Sequence, residues 1–390
     1  MPVPKHCPNP DCPNFSAPKK GWFYHCGSYD TACHGTVPRY RCKQCGKTFS
    51  NQTFSVFYYT KRRLDLERVF VRLRGGGSLR DIAREHGVSR TAVQTLVFRL
   101  GRQAMAAHAL LTQGWQIPGD LAFDGLVGFL TSQDFPTHIS VGVENQAEFI
   151  VSMTHAVLRR SGRRTPAQAK RQKAKEAVWK PPVGTLKGAI SLLVEELAHY
   201  FQRGIGTVRT LYTDEHPLYP AALRSDIACK FFLDHHLLDH RRISSKAPRT
   251  AANPLFPVNY VDMLFRHRLK EHTRETIAFG RHAVHQMHRA WIFAYDHNYR
   301  QPWREKAGDR APVRSSVIGI DERERRRVHR KFFSERLDMR TCLLPESCRM
   351  VWTGELTSPP VRWRSGRPEA RRVAIPQFAL RDLFLLQQFQ

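Results

Sequence analysis

Asp124 lies inside the apolar run LAFDGLVGFL, and Asp214 ends the strand-like run VRTLYTD. A carboxylate within an apolar strand is costly to bury without a partner. Two of them make sense together if Mg²⁺ or Mn²⁺, which prefer oxygen ligands, lies between. Two such metals about 4 Å apart would activate a water or a 3′-hydroxyl and stabilise the leaving oxygen in phosphoryl transfer, with both acids as shared ligands.

A second chemistry is written in the cysteines. CPNPDC puts four residues between Cys7 and Cys12, and CKQCGKTFS puts two between Cys42 and Cys45. Turns of this size aim two thiolates at one point, and two turns complete the four-thiolate shell of structural Zn²⁺. A segment this short has little core of its own and gains stability from a metal. Cys26 and Cys33 are expected as ordinary residues of the intervening hairpin. Residues 1–55 are thus expected to be a zinc ribbon that helps position the protein on DNA.

The elements that must carry the two aspartates alternate in type. LAFDGLVGFL, HISVGVE and FIVSMTHAVL read as three successive strands. GAISLLVEELAHYF has helical periodicity, VRTLYTDEH reads as a strand, YPAALRSD as a short helix and CKFFLDH as a further strand. With a long last helix, this is the order of an α/β, RNase H-like core: a mixed sheet flanked by helices, spanning 113–302. Its first and fourth strands, which carry Asp124 and Asp214, are neighbours in that fold.

Between the ribbon and this core, residues 56–112 read as a helix-turn-helix. Ser78 is placed to cap the first helix of SLRDIAREHGVSRTAVQTLVFRL, Gly87 to make the turn, and Val88, Val93 and Val97 to continue the apolar face. Ser89, Arg90, Thr91 and Gln94 then stand near the start of the second helix, where side chains reach bases or phosphates. The charge agrees: 62 Lys and Arg against 34 Asp and Glu give a net +28 over 390 residues. Double-stranded DNA is the expected partner. The stretch 159–182, with Arg159, Arg160, Arg163 and Arg164, is either a solvated helix or linker, or a surface that tracks phosphates.

CPNPDC, YRCKQCGKTFS, FDGLVGFLTSQDFP, LRRSGRRTPAQAKRQ, TDEHPLYPAAL, NPLFPVNYVD and HTRETIAFGR are individually weak signals. In this order and spacing the chain, up to about residue 300, resembles bacterial insertion-sequence transposases of the zinc-ribbon, DDE type. The resemblance implies a protein that binds the ends of its mobile element, cleaves DNA and joins the 3′-hydroxyl to a target. Asp124 and Asp214 match the first two acids of the pattern, and joining two ends implies a homo-oligomer on DNA.

In this fold the third acid projects from the helix after the last core strand, near its start, and Pro254 and Pro257 mark where that helix can begin. Asp262 follows within a turn or two. Glu275 is thirteen residues further, about 20 Å along a straight helix, and Glu271 would point to the opposite side. Asp262 is therefore the favoured ligand and Glu275 the fallback, with no third acid as the remaining case. Glu271 and Glu275 become helix-surface partners of nearby Arg and Lys. Asn259, Arg266 and Arg274 are candidate supporting or phosphate contacts.

A rival metal site could form from Asp234, His235, His236, Asp239 and His240 in DHHLLDH. The remainder, 303–390, reads as a basic extension: a charged helix at DERERRRVHRKFFSERLDMR, an exposed basic loop at SPPVRWRSGRPEARR, and an amphipathic end, FALRDLFLLQQF, able to dock on the body or a partner. No small-molecule cofactor is expected. No apolar run reaches the roughly 20 residues of a membrane span, and the opening MPVPKHCPNP lacks a signal-peptide layout, so a cytoplasmic, nucleoid-associated location is expected. The alternative function is a catalytically inactive, transposase-derived DNA-binding regulator.

Overall fold

A computed structural model describes residues 4–202, 209–273, 278–304, 311–337 and 344–359, together with the backbone of 361–364 and 367–370. The N-terminal segment holds a helical turn, α1 (Pro13–Ser16), and an antiparallel three-stranded sheet of β1 (Phe23–Thr31), β2 (Gly35–Cys42) and β3 (Thr48–Ser50). Its small core is Cys7, Cys12, Trp22, Cys42, Phe49 and Phe54. Cys26 lies on β1 and Cys33 in the β1–β2 turn, apart from that core.

Three helices follow: α2 (Leu66–Arg74), α3 (Leu79–Glu85) and α4 (Arg90–Leu111). Ser78 and Ser89 cap α3 and α4 by accepting the amides of Asp81 and Ala92, each at 3.1 Å. Gly87 turns the chain between them at φ +59°, a conformation glycine adopts at little cost. α4 is longer than a recognition helix requires, and its second half enters the main core. There it packs on α10 (Ala283–Tyr299), a helix buried on nearly every side.

The two helices touch at Gly101. A Cβ at that position would lie 2.7 Å from His288 Cβ. Gly101→Ala is expected to cost roughly 1–3 kcal/mol through overpacking. Chemical denaturation should show the midpoint falling, and an unchanged midpoint would contradict this packing.

The central sheet contains β4 (Leu121–Leu130), β5 (Ser132–Glu144), β6 (Phe149–Val157), β7 (Arg209–Thr213) and β8 (Leu238–Arg242), in the order β6-β5-β4-β7-β8. The first three pair antiparallel, and β7 and β8 add in parallel beside β4. Helices α5 (Pro166–Val178) and α6 (Thr185–Gln202) connect β6 to β7, and α7 (Leu218–Ser225) and α8 (Ile227–Asp234) connect β7 to β8. The architecture is thus α/β, a mixed five-stranded sheet flanked by helices.

CKFFLDH, expected as a strand, belongs to α8 instead, and the strand is the following LDHRR. Asp226 caps α8 by accepting the Cys229 amide at 2.8 Å. Cys229 and Phe232, one helical turn apart, face the core while Phe231 is exposed. A short apolar run carries both patterns, and the cap decides between them. β8 escapes a hydrophobic reading because it pairs only with β7 and only Leu238 is deeply buried.

α9 (Phe256–Arg268) follows β8 and crosses over β4 and β5. Beyond α10 come α11 (Arg314–Val317), α12 (Glu322–Phe332) and α13 (Glu346–Thr353). The charged segment expected to be helical forms α12, and Phe332 stacks on Tyr295 of α10 at 4.1 Å. The basic segment expected to be a loop instead contains an antiparallel pair, β9 (Val361–Arg364) and β10 (Arg367–Ala370). Residues 378–389, expected as an amphipathic docking segment, lie outside the described residues. Among the described residues no helix is long and apolar enough to cross a membrane.

Candidate functional site

Asp124 sits on β4, the centre of the sheet, and its Oδ1 accepts the Gly125 amide at 2.7 Å. Asp214 follows directly after β7. The pairs Leu121 with Leu211 and Ala122 with Tyr212 set the parallel register, and continuing it brings Asp214 level with Asp124. Its Oδ1 accepts the His216 amide at 2.9 Å, turning the chain sharply at the strand end.

Asp262 reaches this region from α9. It is buried, and its Oδ1 has no hydrogen-bond partner. Burial, reinforced by the charge of Asp124, pushes its carboxyl well above the usual range, while Arg266 and Arg249 oppose the shift. Burial also raises Asp124, with Asp214 adding to the effect and the Gly125 amide, Arg249 and Arg266 opposing it. Tyr219, buried on α7, is raised well above the ordinary phenol range by burial and then by the charges of Asp124, Asp214 and Asp262. One phenol therefore senses all three acids.

Tyr219 and Arg249 were not singled out from the sequence. Tyr219 had a local signal, since it lies five residues past Asp214 on the helix that the Asp214 turn starts. Arg249 had none: it comes from the loop between β8 and α9. His138 was missed as well. Its ring packs where a side chain on Gly125 would lie, and burial holds it down at about 4, with His216 lowering and Asp214 raising it.

α9 stops at Arg268, so Glu271 is not on its far side. It stands in a short 3-10 turn, Lys270–His272, buried and paired with Arg289 of α10 at 2.8 Å. The expected helix-surface acid is an interior ion pair, because the chain leaves helical geometry at Leu269 and folds the turn against α10. Arg266 donates to the His272 carbonyl at 3.1 Å. Asn259 stands one turn before Asp262 on α9. Arg274 and Glu275 lie outside the described residues.

The four cysteines meet. Cys7 and Cys45 sulfurs are 3.5 Å apart, and Cys12 and Cys42 sulfurs 3.7 Å. A tetrahedral zinc with 2.3 Å bonds sets its sulfurs about 3.8 Å apart, so this cluster could bind Zn²⁺. Burial opposes ionisation of Cys42, yet the amides of Cys45 and Gln44 and the neighbouring thiols hold it down at about 7. Among the described residues this is the one group of three or more Cys, His, Asp or Glu gathered closely enough to hold a metal. The three aspartates are not gathered as closely.

The DHHLLDH residues separate. His235 stacks on Phe231, Asp239 pairs with Arg241 at 2.6 Å, and His240 meets Thr213 at 2.9 Å. They form no shared site.

Arg90 and Thr91 are exposed at the start of α4, with Ser89 exposed as its cap and Gln94 half-buried. The basic insertion is pinned more tightly than a free phosphate surface would be. Arg159 pairs with Glu176 at 2.8 Å, Arg160 and Lys175 both hold Asp134, and Arg164 donates to Gln172 at 2.6 Å. Arg163 is exposed. No protein-family model matches this chain, and neither does any curated protein.

Proposed function

We propose that this protein is a DNA transposase that binds the ends of its element and catalyses metal-dependent strand cleavage and transfer from an RNase H-like core. The observation that carries the reading is the placement of Asp124 on β4, Asp214 level with it just past β7, and buried Asp262 on α9, the helix that packs across β4. A strand order of β6-β5-β4-β7-β8, with the first three antiparallel, supports the RNase H-like assignment.

The donor set suits Mg²⁺ or Mn²⁺: all-oxygen ligands, two with carboxyls raised by burial and by the charge of a neighbouring aspartate, and one carboxylate oxygen buried without a partner. Asp124, Asp214 and Asp262 would hold the ions, which when bound supply a nucleophilic oxygen and charge neutralisation at the phosphoryl group. Arg249 and Arg266, which oppose the charge of both Asp124 and Asp262, would draw a DNA phosphate toward the acids. Arg90 and Thr91 would meet the duplex where α4 begins, Arg163 would add charge alongside, and the Cys7–Cys12–Cys42–Cys45 ribbon would hold Zn²⁺ and steady the protein on DNA.

Arg90→Ala is expected to weaken duplex binding and lower the slope of log affinity against log salt by about 1, as for one lost phosphate contact. Fluorescence anisotropy across a salt series measures this. An unchanged slope would remove Arg90 from the interface.

The wider spacing of the three aspartates favours a second reading, a DNA-binding regulator without catalysis. Incubation with Mn²⁺ and duplexes carrying the DNA that flanks the gene separates the two. Nicked or joined products support the transposase. Salt-sensitive binding with no cleavage under Mn²⁺, or under Mg²⁺ in its place, supports the regulator.

A further inference from the structure

We propose, resting on the DNA-binding reading above, that the outer face of α5 is a docking surface for the phosphate backbone of a DNA duplex. Lys170, Arg171 and Lys173 carry it, and an ion-pair cluster buried beneath the helix holds them in place. The arginines that the sequence pointed to serve instead as anchors.

The inner face of α5 is fastened. Gln172, Lys175, Glu176 and Trp179 fall at the spacing of one helical stripe. Asp134 of β5 is buried, and its two carboxylate oxygens take one cation each, Arg160 at 2.8 Å and Lys175 at 2.6 Å. Gln172 is buried too and donates to the Arg160 carbonyl at 3.2 Å. Trp179 meets Phe135 edge-on, with ring centroids 5.4 Å apart, and Glu176 pairs with Arg159. Burying charges is costly unless they are fixed against one another and hydrogen-bonded. α5 is therefore held at one place on the body, unlike a solvated linker.

The remaining cations all face outward. At about 100° per residue, Lys170 stands on the far side of the helix from Gln172, with Arg171 and Lys173 flanking it. All three are exposed, as are Arg163 and Lys180 beyond the two ends of the helix. Glu176 is the one acid between 159 and 182, and Arg159 already holds it. Lys170 and Lys173, three residues apart, repel each other. Among the described residues no acid pairs with either of them or with Arg171. Ala167, Ala174 and Ala177 occupy the rest of this face, exposed and small, so a stiff polyanion can approach closely. Charge of one sign at fixed spacing fits a duplex backbone, which such contacts bind without reading its sequence.

The location suits the same duplex. Lys175 fastens α5 to Ser132 and Asp134, just past Leu130 at the end of β4. Asp124 lies six residues earlier on that strand, about 20 Å away at 3.3 Å per residue. At 3.4 Å per base pair, that distance is about six base pairs.

The test is fluorescence anisotropy of the full chain with a DNA duplex across a salt series, without divalent metal. Lys170→Ala/Lys173→Ala makes none of the anchoring contacts worse and keeps good helix formers, so the melting temperature should match wild type. Two lost phosphate contacts should make the slope of log affinity against log salt shallower by about 2. The charge-matched control Lys187→Ala/Lys230→Ala, which removes exposed lysines from α6 and α8, should change it by less. A wild-type slope in Lys170→Ala/Lys173→Ala overturns the docking surface and leaves DNA binding standing. An equal change in the control overturns it too, because the duplex would then sense only net charge. Wild-type protein that does not bind duplex at all overturns both this surface and the DNA-binding reading.

Discussion

Asp262→Asn is expected to raise the melting temperature of the metal-free protein at neutral pH while abolishing metal-dependent DNA cleavage. Asp262 is buried with one carboxylate oxygen unpartnered and Asp124 nearby. At pH 7 an ionised carboxylate there bears a desolvation cost of several kcal/mol, only partly offset by Arg266 and Arg249. Asparagine keeps the shape without the charge. Its amide also needs partners, but its desolvation is smaller than a carboxylate's, so a net gain on the order of 1 kcal/mol follows.

The sign with pH follows from the direction of the shift. The carboxyl titrates well above its unfolded value of about 3.9. Wild-type stability from this group is therefore complete below that value and is lost as pH rises through the folded pKa. Melts between pH 4 and pH 8 should show the two proteins converging in acid and separating toward neutrality. Mg²⁺ or Mn²⁺ should raise the wild-type melting temperature and do less for Asp262→Asn. Loss of a ligand worth several kcal/mol in the transition state predicts a fall in cleavage of about 10³-fold or more. Retained cleavage in a destabilised variant would mean Asp262 is a structural acid.

Removing zinc is expected to unfold the N-terminal ribbon and spare the rest. The sulfurs of Cys7, Cys12, Cys42 and Cys45 sit at tetrahedral spacing, and the surrounding core is small: Trp22, Phe49 and Phe54, with Phe23 and Tyr40 packed against it. Structural zinc supplies roughly 10 kcal/mol or more to such segments, so the metal is the larger part of what folds this one. A chelator, or Cys42→Ser, should release one zinc per chain and abolish amide-exchange protection from Phe23 to Ser50. Protection in the main sheet should persist, because that sheet has a separate core, and the ribbon meets the body at its edge, where Lys5 pairs with Glu335 at 2.7 Å and the Arg336 amide donates to the Phe54 carbonyl at 2.8 Å. Full protection after chelation would show that the aromatic cluster folds alone.

What the sequence revealed were features with short-range causes. Cysteine spacing forces thiols together across two tight turns, and they meet. Ser78 and Gly87 act within a few residues of themselves, so the first cap and the turn were legible, whereas Ser89, read as a DNA contact, also caps the second helix. The strand bearing Asp124 was legible because a ten-residue apolar run leaves few alternatives, and Asp214 was legible as the end of a short strand just before a turn. The misses have longer-range causes. α8 looked like a strand because eight residues hold both periodicities, and the edge strand β8 is too polar to announce itself. The stop of α9 at Arg268 depends on Glu271 finding Arg289 on a helix still to come, which no local pattern encodes. Arg249 is brought to the acids by a loop.

The proposed strand chemistry requires that Asp124, Asp214 and Asp262 hold divalent metal beside DNA. The most direct test is a crystal of the protein with duplex DNA and Mn²⁺, read by anomalous diffraction at the manganese edge. Manganese is expected bonded to Asp124 and Asp262, with Asp214 alongside. Manganese found only elsewhere, with these three carboxylates unbonded to metal beside the DNA, would contradict it.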